Sequence, residues 1–580
     1  MLYSVGNTAV VLATTVIALS SVVSSRSVNT APTVTVKNGT YVGRHNAAYA
    51  QDLFLGMPFA QPPVGDLRFR APVSLNSSFH GVKNATVYPP ECVGYGSDNI
   101  PYVNSEDCLY INVVRPSGLA PETSLPVLFW IYGGNNEEGG SGDIRYNLTF
   151  LVDRGVQMGK PILAVSSNYR VSAWGFLGGK EALAGGATNA GFRDQRLALH
   201  WVRENIKAFG GDPDKVTIVG ESAGAEGVGA QLLAYRGRDD KLFRAAISES
   251  GGPAIVAPLA VGSLNSSSQQ ATYNTLVTNT SCASTFGTSR SLECLRKLPF
   301  AELNAALNIS SSGLTPFTPQ IDNDFYATYP SDQLNNGEFV KVPYICGSNT
   351  NEGTLFSTIV SYNGSAIINT DAEFERAIQQ VSNLSTNATR TLAKYYPNDP
   401  SIGIPSLAQY PGSIDSFGLG SQLRRVGSYA GDWIIIAPRR ATNVAWAAHG
   451  VTTYSYRFDV TPGGLSARYG PAHFQEVAFV FDNTDGLGYA SNPFGSGLDN
   501  STIAAYKDLA KLMSSSWVSF VHDLDPNQNG IHGALNWPKY ATQNPQHIVW
   551  AANGTYIEYD NFRAEGMKYM AQIAKSEYGR

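Results

Sequence analysis

The segment Lys215-Val216-Thr217-Ile218-Val219, running into Gly220-Glu221-Ser222-Ala223-Gly224, constrains this chain more than any other. A short apolar strand leads straight to a serine with glycines two positions to either side. The sequence then continues through Ala225, Gly227, Gly229 and Ala230, small residues suited to a helix start packed closely on a sheet. A sharp strand-to-helix turn needs small neighbours at those spacings, because its backbone is strained and crowded, and it lifts the serine hydroxyl clear of the sheet. The pentapeptide alone also occurs as a Gly-rich structural turn, but the flanking strand and helix start favour Ser222 as a nucleophile.

The same pattern recurs along the chain. Leu125 to Tyr132 runs into Gly133-Gly134, Pro161 to Val165 into Asn168-Tyr169-Arg170, and Val342 to Cys346 into Asn351-Glu352-Gly353. Near-continuous apolar strands are buried on both faces, which predicts a mainly parallel sheet. From Phe192 to Phe209 the apolar residues fall on one helical face, with Gly210-Gly211 ending it. Strands alternating with helices predict an α/β fold, with ligands bound beyond the carboxyl ends of the strands. The looser 260–450 region reads as a cap-like insertion, and no long linker divides the chain.

A serine hydroxyl needs a base and an orienting acid, in the chain order serine, acid, histidine. Of the eight histidines, His45, His80 and His200 precede Ser222. His449 marks a helix end, His522 sits in a helical stretch, and His532 and His547 read as loop residues. His473, in the loop Tyr469-Gly470-Pro471-Ala472-His473, is the best candidate base. Glu352 follows its strand by a short loop and is either the acid or a solvated loop carboxylate. Ala223 would supply one oxyanion amide, and Gly134 and Asn135 of the Gly133-to-Asn136 loop the others.

Other features point to an oxidising, extracellular setting. An apolar run from Ala9 to Val23 predicts a signal peptide over residues 1–25, too short to span a bilayer. Charged residues are only 15% of the chain, against about a quarter in a typical globular protein. Twelve Asn-X-Ser/Thr acceptors offer an explanation: Asn38, Asn76, Asn84, Asn147, Asn265, Asn279, Asn308, Asn363, Asn383, Asn387, Asn500 and Asn553. A glycan coat would hydrate such a surface. Cys92 with Cys108, and Cys282 with Cys294, are the natural local disulfides, leaving Cys346 free. No Cys or His spacing suits a metal, no basic cluster suits a nucleic acid, and neither a stable membrane anchor nor a cofactor is implied.

Two longer motifs connect these residues to a known family: Phe209-Gly210-Gly211-Asp212-Pro213 leading to Gly220-Glu221-Ser222-Ala223-Gly224, and Glu106-Asp107-Cys108-Leu109-Tyr110-Ile111-Asn112-Val113. With Asn351-Glu352-Gly353 and His473-Phe474-Gln475-Glu476, the chain resembles the type-B carboxylesterase/lipase family of cholinesterases, liver-type carboxylesterases and secreted fungal lipases. The resemblance spans roughly residues 33 to 570 and implies one catalytic domain over 26–580. It implies an α/β-hydrolase fold and a secreted carboxylic ester hydrolase acting on a small ester substrate through Ser222, Glu352 and His473. It also implies support of the triad by Glu221, Ser250 and Glu476, the two local disulfides, and structural ion pairs Arg170–Asp194 and Arg68–Glu106. A lipase or sterol esterase, and a catalytically silent binding protein, are the alternatives on the same fold.

The sequence departs from that family at two places. The oxyanion loop ends in Asn135-Asn136 where three glycines and an aromatic are usual, which predicts a roomier or more polar acyl side. The Cys92–Cys108 loop is short and polar, without the amphipathic lid of the fungal lipases or the tryptophan of the cholinesterases. Short or medium-chain soluble esters are therefore expected as substrates, rather than choline esters.

Overall fold

Twelve strands build the central sheet of the computed structural model, which describes residues 31–255, 267–308 and 317–580. In chain order they are Arg44–Asn46 (β1), Gln51–Pro58 (β2), Tyr110–Pro116 (β3), Leu125–Ile131 (β4), Leu163–Ser167 (β5), Gly211–Glu221 (β6), Ala245–Glu249 (β7), Tyr344–Asn349 (β8), Thr453–Tyr454 (β9), Tyr456–Phe458 (β10), Gln546–Trp550 (β11) and Tyr556–Tyr559 (β12). Their spatial order is β1-β2-β3-β5-β4-β6-β7-β8-β10-β11-β12, with β9 also paired to β8. From β5 through β11 every pairing is parallel, and the antiparallel pairings lie toward the edges. Central strands such as Val127 to Ile131 are buried on both faces, which explains why their sequences are apolar without alternation.

Helices flank the sheet. Leu148–Gln157 (α1) packs on Asn500–Asp523, while Ala190–Asn205 (α2) packs on Ala223–Gly237 (α3), the helix that follows Ser222. α2 ends in a short 3-10 turn over Ile206–Phe209, closed by Gly210 at φ 84°, as the Gly-Gly signal predicts. No helix among the described residues is long and apolar enough to cross a membrane. The signal-peptide segment lies outside the described residues.

The 260–450 stretch is not one insertion, because β8 runs through it at the centre of the sheet. Beyond β8, Leu423–Gly431 (α4) and Ala437–Ala448 (α5) enclose a second apolar core containing Phe374, Ile378, Tyr429 and Ile434, completed by Met567 and Met570. The loop reading of His547 is also corrected: it lies in β11, fully buried, with Nε2 2.8 Å from Glu558 Oε1. Its polar character belongs to a buried charge network with Asp560 and Arg439, which one residue's sequence context does not reveal.

Cys92–Cys108 and Cys282–Cys294 are bridged, and Cys346 is free and buried in β8. Of the acceptor asparagines, Asn76, Asn84, Asn279, Asn363, Asn383, Asn387, Asn500 and Asn553 are exposed. Asn38 and Asn147 are half-buried and occupied: Asn38 Nδ2 donates to Ser77 O, and Asn147 Oδ1 accepts from the Thr149 N–H to cap α1. Asn308 is half-buried too, and Asn265 lies outside the described residues.

Both expected ion pairs are present and bidentate. Arg170 donates to Asp194 at 2.8 and 2.7 Å, and Arg68 to Glu106 at 2.6 and 2.9 Å. Asp194→Ala would leave Arg170 buried and unpaired. It is expected to lower the unfolding free energy by about 3–5 kcal/mol, read as a fall in urea midpoint.

Candidate active site

Ser222 occupies the turn between β6 and α3 with φ 57° and ψ −125°, a conformation seldom adopted by residues with a Cβ. The turn holds because its backbone is engaged on both sides: the Ser222 N–H donates to Glu249 O at 2.9 Å, and Ser222 O accepts from the Glu226 N–H at 3.0 Å. A Cβ at Gly224 would run into the carbonyl oxygens of Ile131 and Tyr132, and one at Gly220 would meet Gly224 itself. The glycines of the sequence motif are therefore required by contact with β4.

Two loops converge on the hydroxyl. His473 Nε2 lies 2.7 Å from Ser222 Oγ, and His473 Nδ1 lies 2.7 Å from Glu352 Oε2. Glu352 Oε1 accepts the Asn349 N–H at 2.6 Å. The Asn349 side chain donates to Ala472 O at 2.7 Å and to Glu476 Oε2, while Ser250 Oγ donates to Glu476 Oε1 at 2.8 Å. Glu221 Oε1 stands 3.5 Å from His473 Nε2. Glu352 and His473 thus sit together, with Ser250, Glu476 and Glu221 around them. Asn349 and Glu249 were not singled out in the sequence; they lie at strand ends and carry no local signal.

Glu221, Glu249, Glu352 and Glu476 are all buried. Burial, and then repulsion by Glu476, holds Glu221 and Glu249 well above the usual carboxylate range. Glu476 is pushed up to about 7, by burial first and by Glu352 second. For His473, burial disfavours the imidazolium, but Glu352 and then Glu476 outweigh it and the net shift is upward.

The loop after β4 is braced from below by a reciprocal pair. Tyr132 Oη donates to Tyr169 O at 2.8 Å, Tyr169 Oη donates to Tyr132 O at 2.9 Å, and the two rings stack at 4.4 Å. Gly134 has φ 104°, and Asn135 and Asn136 follow at 57° and 59°, left-handed values that asparagine tolerates well. Gly133, Gly134, Asn135, Ser222, Ala223 and His473 line one cavity of about 290 Å³. The Asn136 side chain does not line that cavity, contrary to the expectation of a direct effect on the acyl side. It is fully buried, and its Nδ2 donates to Glu226 Oε2 at 2.7 Å, because a carboxyl buried there needs a donor.

Opposite that loop the cavity wall is apolar. Phe356 packs against His473 with ring centroids 4.9 Å apart and the rings tilted, and Ile434 and Ile435 both reach the cavity from a π-helical turn over Asp432–Ile436. The wider turn suits two successive side chains facing one space. At the rim, the segment between Cys92 and Cys108 is tied down. Asn99 donates to Glu91 and Asn104, the Asp98 N–H donates to Glu138 at 2.6 Å, and Asp98 pairs with Arg145 at 2.8 Å.

Comparisons with known proteins give the chain's family and fold. Residues 30–568 match the family described as "Carboxylesterase family". The chain is 33% identical to "Lipase 4" of Diutina rugosa, covering 93% of this chain and 96% of that one. It is also 33% identical to "Secreted lipase 1" of Botryotinia fuckeliana, with 94% of each covered. Its structure superposes on the crystal structure of EstA from Aspergillus niger with a TM-score of 0.78 at 27% identity, over 95% of this chain and all of that one, which makes the fold an α/β-hydrolase fold.

Asn136→Phe would force a larger side chain into a closed space and strip Glu226 of its donor. It is expected to cost about 1–3 kcal/mol of stability. An unchanged urea midpoint would mean that the side chain has room the structure does not give it.

Proposed function

The chain belongs to the carboxylesterase family and is a carboxylic ester hydrolase, and we propose that Ser222, His473 and Glu352 carry out the hydrolysis through an acyl-enzyme intermediate. The unbroken hydrogen-bond chain from Ser222 Oγ through His473 to Glu352 carries this reading. Ser222 Oγ attacks the ester carbonyl while His473 Nε2 takes its proton. The tetrahedral oxyanion is stabilised by the N–H groups of Gly134, Asn135 and Ala223. His473 then protonates the departing alcohol, and a water activated by the same nitrogen releases the acid. Glu352 orients the imidazole and stabilises its protonated form, while Asn349, Glu476, Ser250 and Glu221 position these groups.

A fluorophosphonate is expected to label the wild-type protein stoichiometrically and to leave Ser222→Ala unlabelled. An unlabelled, folded wild-type protein would instead favour the silent binding alternative. Glu352→Gln is expected to lower kcat by about 10⁴-fold on a 4-nitrophenyl ester.

The base works only when neutral, and the neighbouring carboxylates raise the His473 pKa above its ordinary value of about 6.5. Activity is therefore complete above that raised pKa and falls as the pH drops through it. The acid limb of kcat/KM is expected with its midpoint above about 6.5.

We place the chain outside the cell. Two disulfides and a relative named as a secreted lipase support this, and glycans at the eight exposed acceptor asparagines would supply the hydration that its few charges do not. The substrates we favour are soluble esters. The second reading, a lipase, draws on the printed names of the relatives and on Ile100 and Val103, which are 75% and 72% exposed beside the rim. The pinned Cys92–Cys108 segment argues against a lid. Rates on a soluble ester are expected to rise smoothly across its solubility limit, whereas a sharp jump there would favour the lipase.

A further inference from the structure

Glu226 is a carboxyl group that the triad does not use. It stands one helical turn after Ser222 on α3, is 4% exposed, and lines the same cavity. One oxygen, Oε2, accepts from Asn136 Nδ2 at 2.7 Å. The other, Oε1, has no hydrogen-bond partner among the described residues, and no cation neutralises the group. A carboxyl oxygen left unengaged on a cavity wall marks a place for a ligand group.

The side of the substrate it would meet follows from the chemistry. The departing oxygen must sit beside His473 Nε2 to receive its proton, which places the alcohol at the Phe356 side. Glu226 has Asn136, Tyr169 and Tyr326 as its neighbours, not His473, and so stands beyond the oxyanion amides, where the acyl chain lies. We propose that Glu226 is a specificity-determining residue of the acyl pocket, its Oε1 hydroxyl donating a hydrogen bond to an oxygen carried by the acyl chain. The preferred substrates would be esters of short alkoxy-, hydroxy- or oxo-acids rather than plain alkanoates. This rests on Ser222 and the oxyanion loop being the reacting centre.

The protonation state fits that role. Burial pushes the Glu226 pKa up to about 8, against the smaller opposing effect of Asn136, so the donor form prevails at neutral pH. Tyr169 and Tyr326, which face it, are held far above their ordinary range by burial and stay neutral. Glu137, next to Asn136, accepts from the Phe317 N–H. Glu138, Glu221, His473 and the Asp98–Arg145 pair also line the cavity, and whatever effect they have in common on both esters cancels in a ratio of the two.

The test is the ratio of kcat/KM for 4-nitrophenyl methoxyacetate over 4-nitrophenyl butyrate, from pH 6.5 to 9.5, with fluorophosphonate titration fixing the active-site concentration in each protein. In the wild type the ratio is expected to fall as the pH rises through about 8, where the donor becomes a carboxylate. Glu226→Gln, which keeps an acceptor for Asn136 and a donor for the acyl oxygen, should hold the ratio high and flat. Glu226→Leu should lower it about ten-fold at neutral pH, the loss of one hydrogen bond. Intrinsic ester reactivity cancels between variants. A Leu ratio within two-fold of wild type, or a pH-dependent fall that persists in the Gln variant, would overturn the proposal. Failure of wild-type titration would instead strike at the Ser222 reading.

Discussion

Asn349 holds the site together. Its backbone N–H donates to Glu352 and its side-chain amide to Ala472 O and Glu476, so one residue at the end of β8 fastens the acid turn to the histidine loop. Those loops are separated by 121 residues in the chain. Thr350 adds a second tie, its N–H donating to Phe458 O on β10 at 3.0 Å. Because the hydrogen-bond donors around Glu352 are used up in this way, the carboxylate and the imidazole keep their mutual geometry without substrate, which is the condition for catalysis by preorganised groups.

The four buried glutamates pose a problem that such fixed geometry solves. Carboxylates so close together cannot all ionise in a water-poor interior. Glu352 receives a backbone N–H and faces His473, whereas burial and the nearby Glu476 push Glu221 and Glu249 well above the usual carboxylate range. Glu249 keeps Trp517 Nε1 as its donor at 2.7 Å, a contact to the Asn500–Asp523 helix that joins the site to the helical layer.

Much of this was legible in the residues themselves. The apolar strand before Gly220 and the small residues after Ser222 fix the turn, since any Cβ at Gly224 collides with β4. The chain order serine, acid, histidine narrowed the partners to Glu352 and His473, with the family motifs deciding between open alternatives. Asn349 and Glu249 were not legible, because their partners come from distant loops and an asparagine or glutamate at a strand end has many uses. Asn136 was misjudged for the same reason: a left-handed backbone was foreseeable, but the burial of its side chain against Glu226 depends on a helix 90 residues away. His547 looked like a loop residue because charged networks buried beneath a sheet edge leave no periodic trace.

The distance along the chain between Ser222 and His473, 251 residues, has a consequence for how the molecule matures. The Ser222 turn is complete once β4, β6 and β7 have paired, yet His473 arrives on a loop beyond β10, on the far side of β8. Non-local parallel pairing of this kind forms slowly and late in folding. A chain still emerging, or one truncated before residue 473, therefore carries Ser222 without its hydrogen-bond partner His473. On the proposed mechanism, ester turnover reports that β10 and the loop after it have docked, and its appearance during refolding should lag behind the recovery of secondary structure.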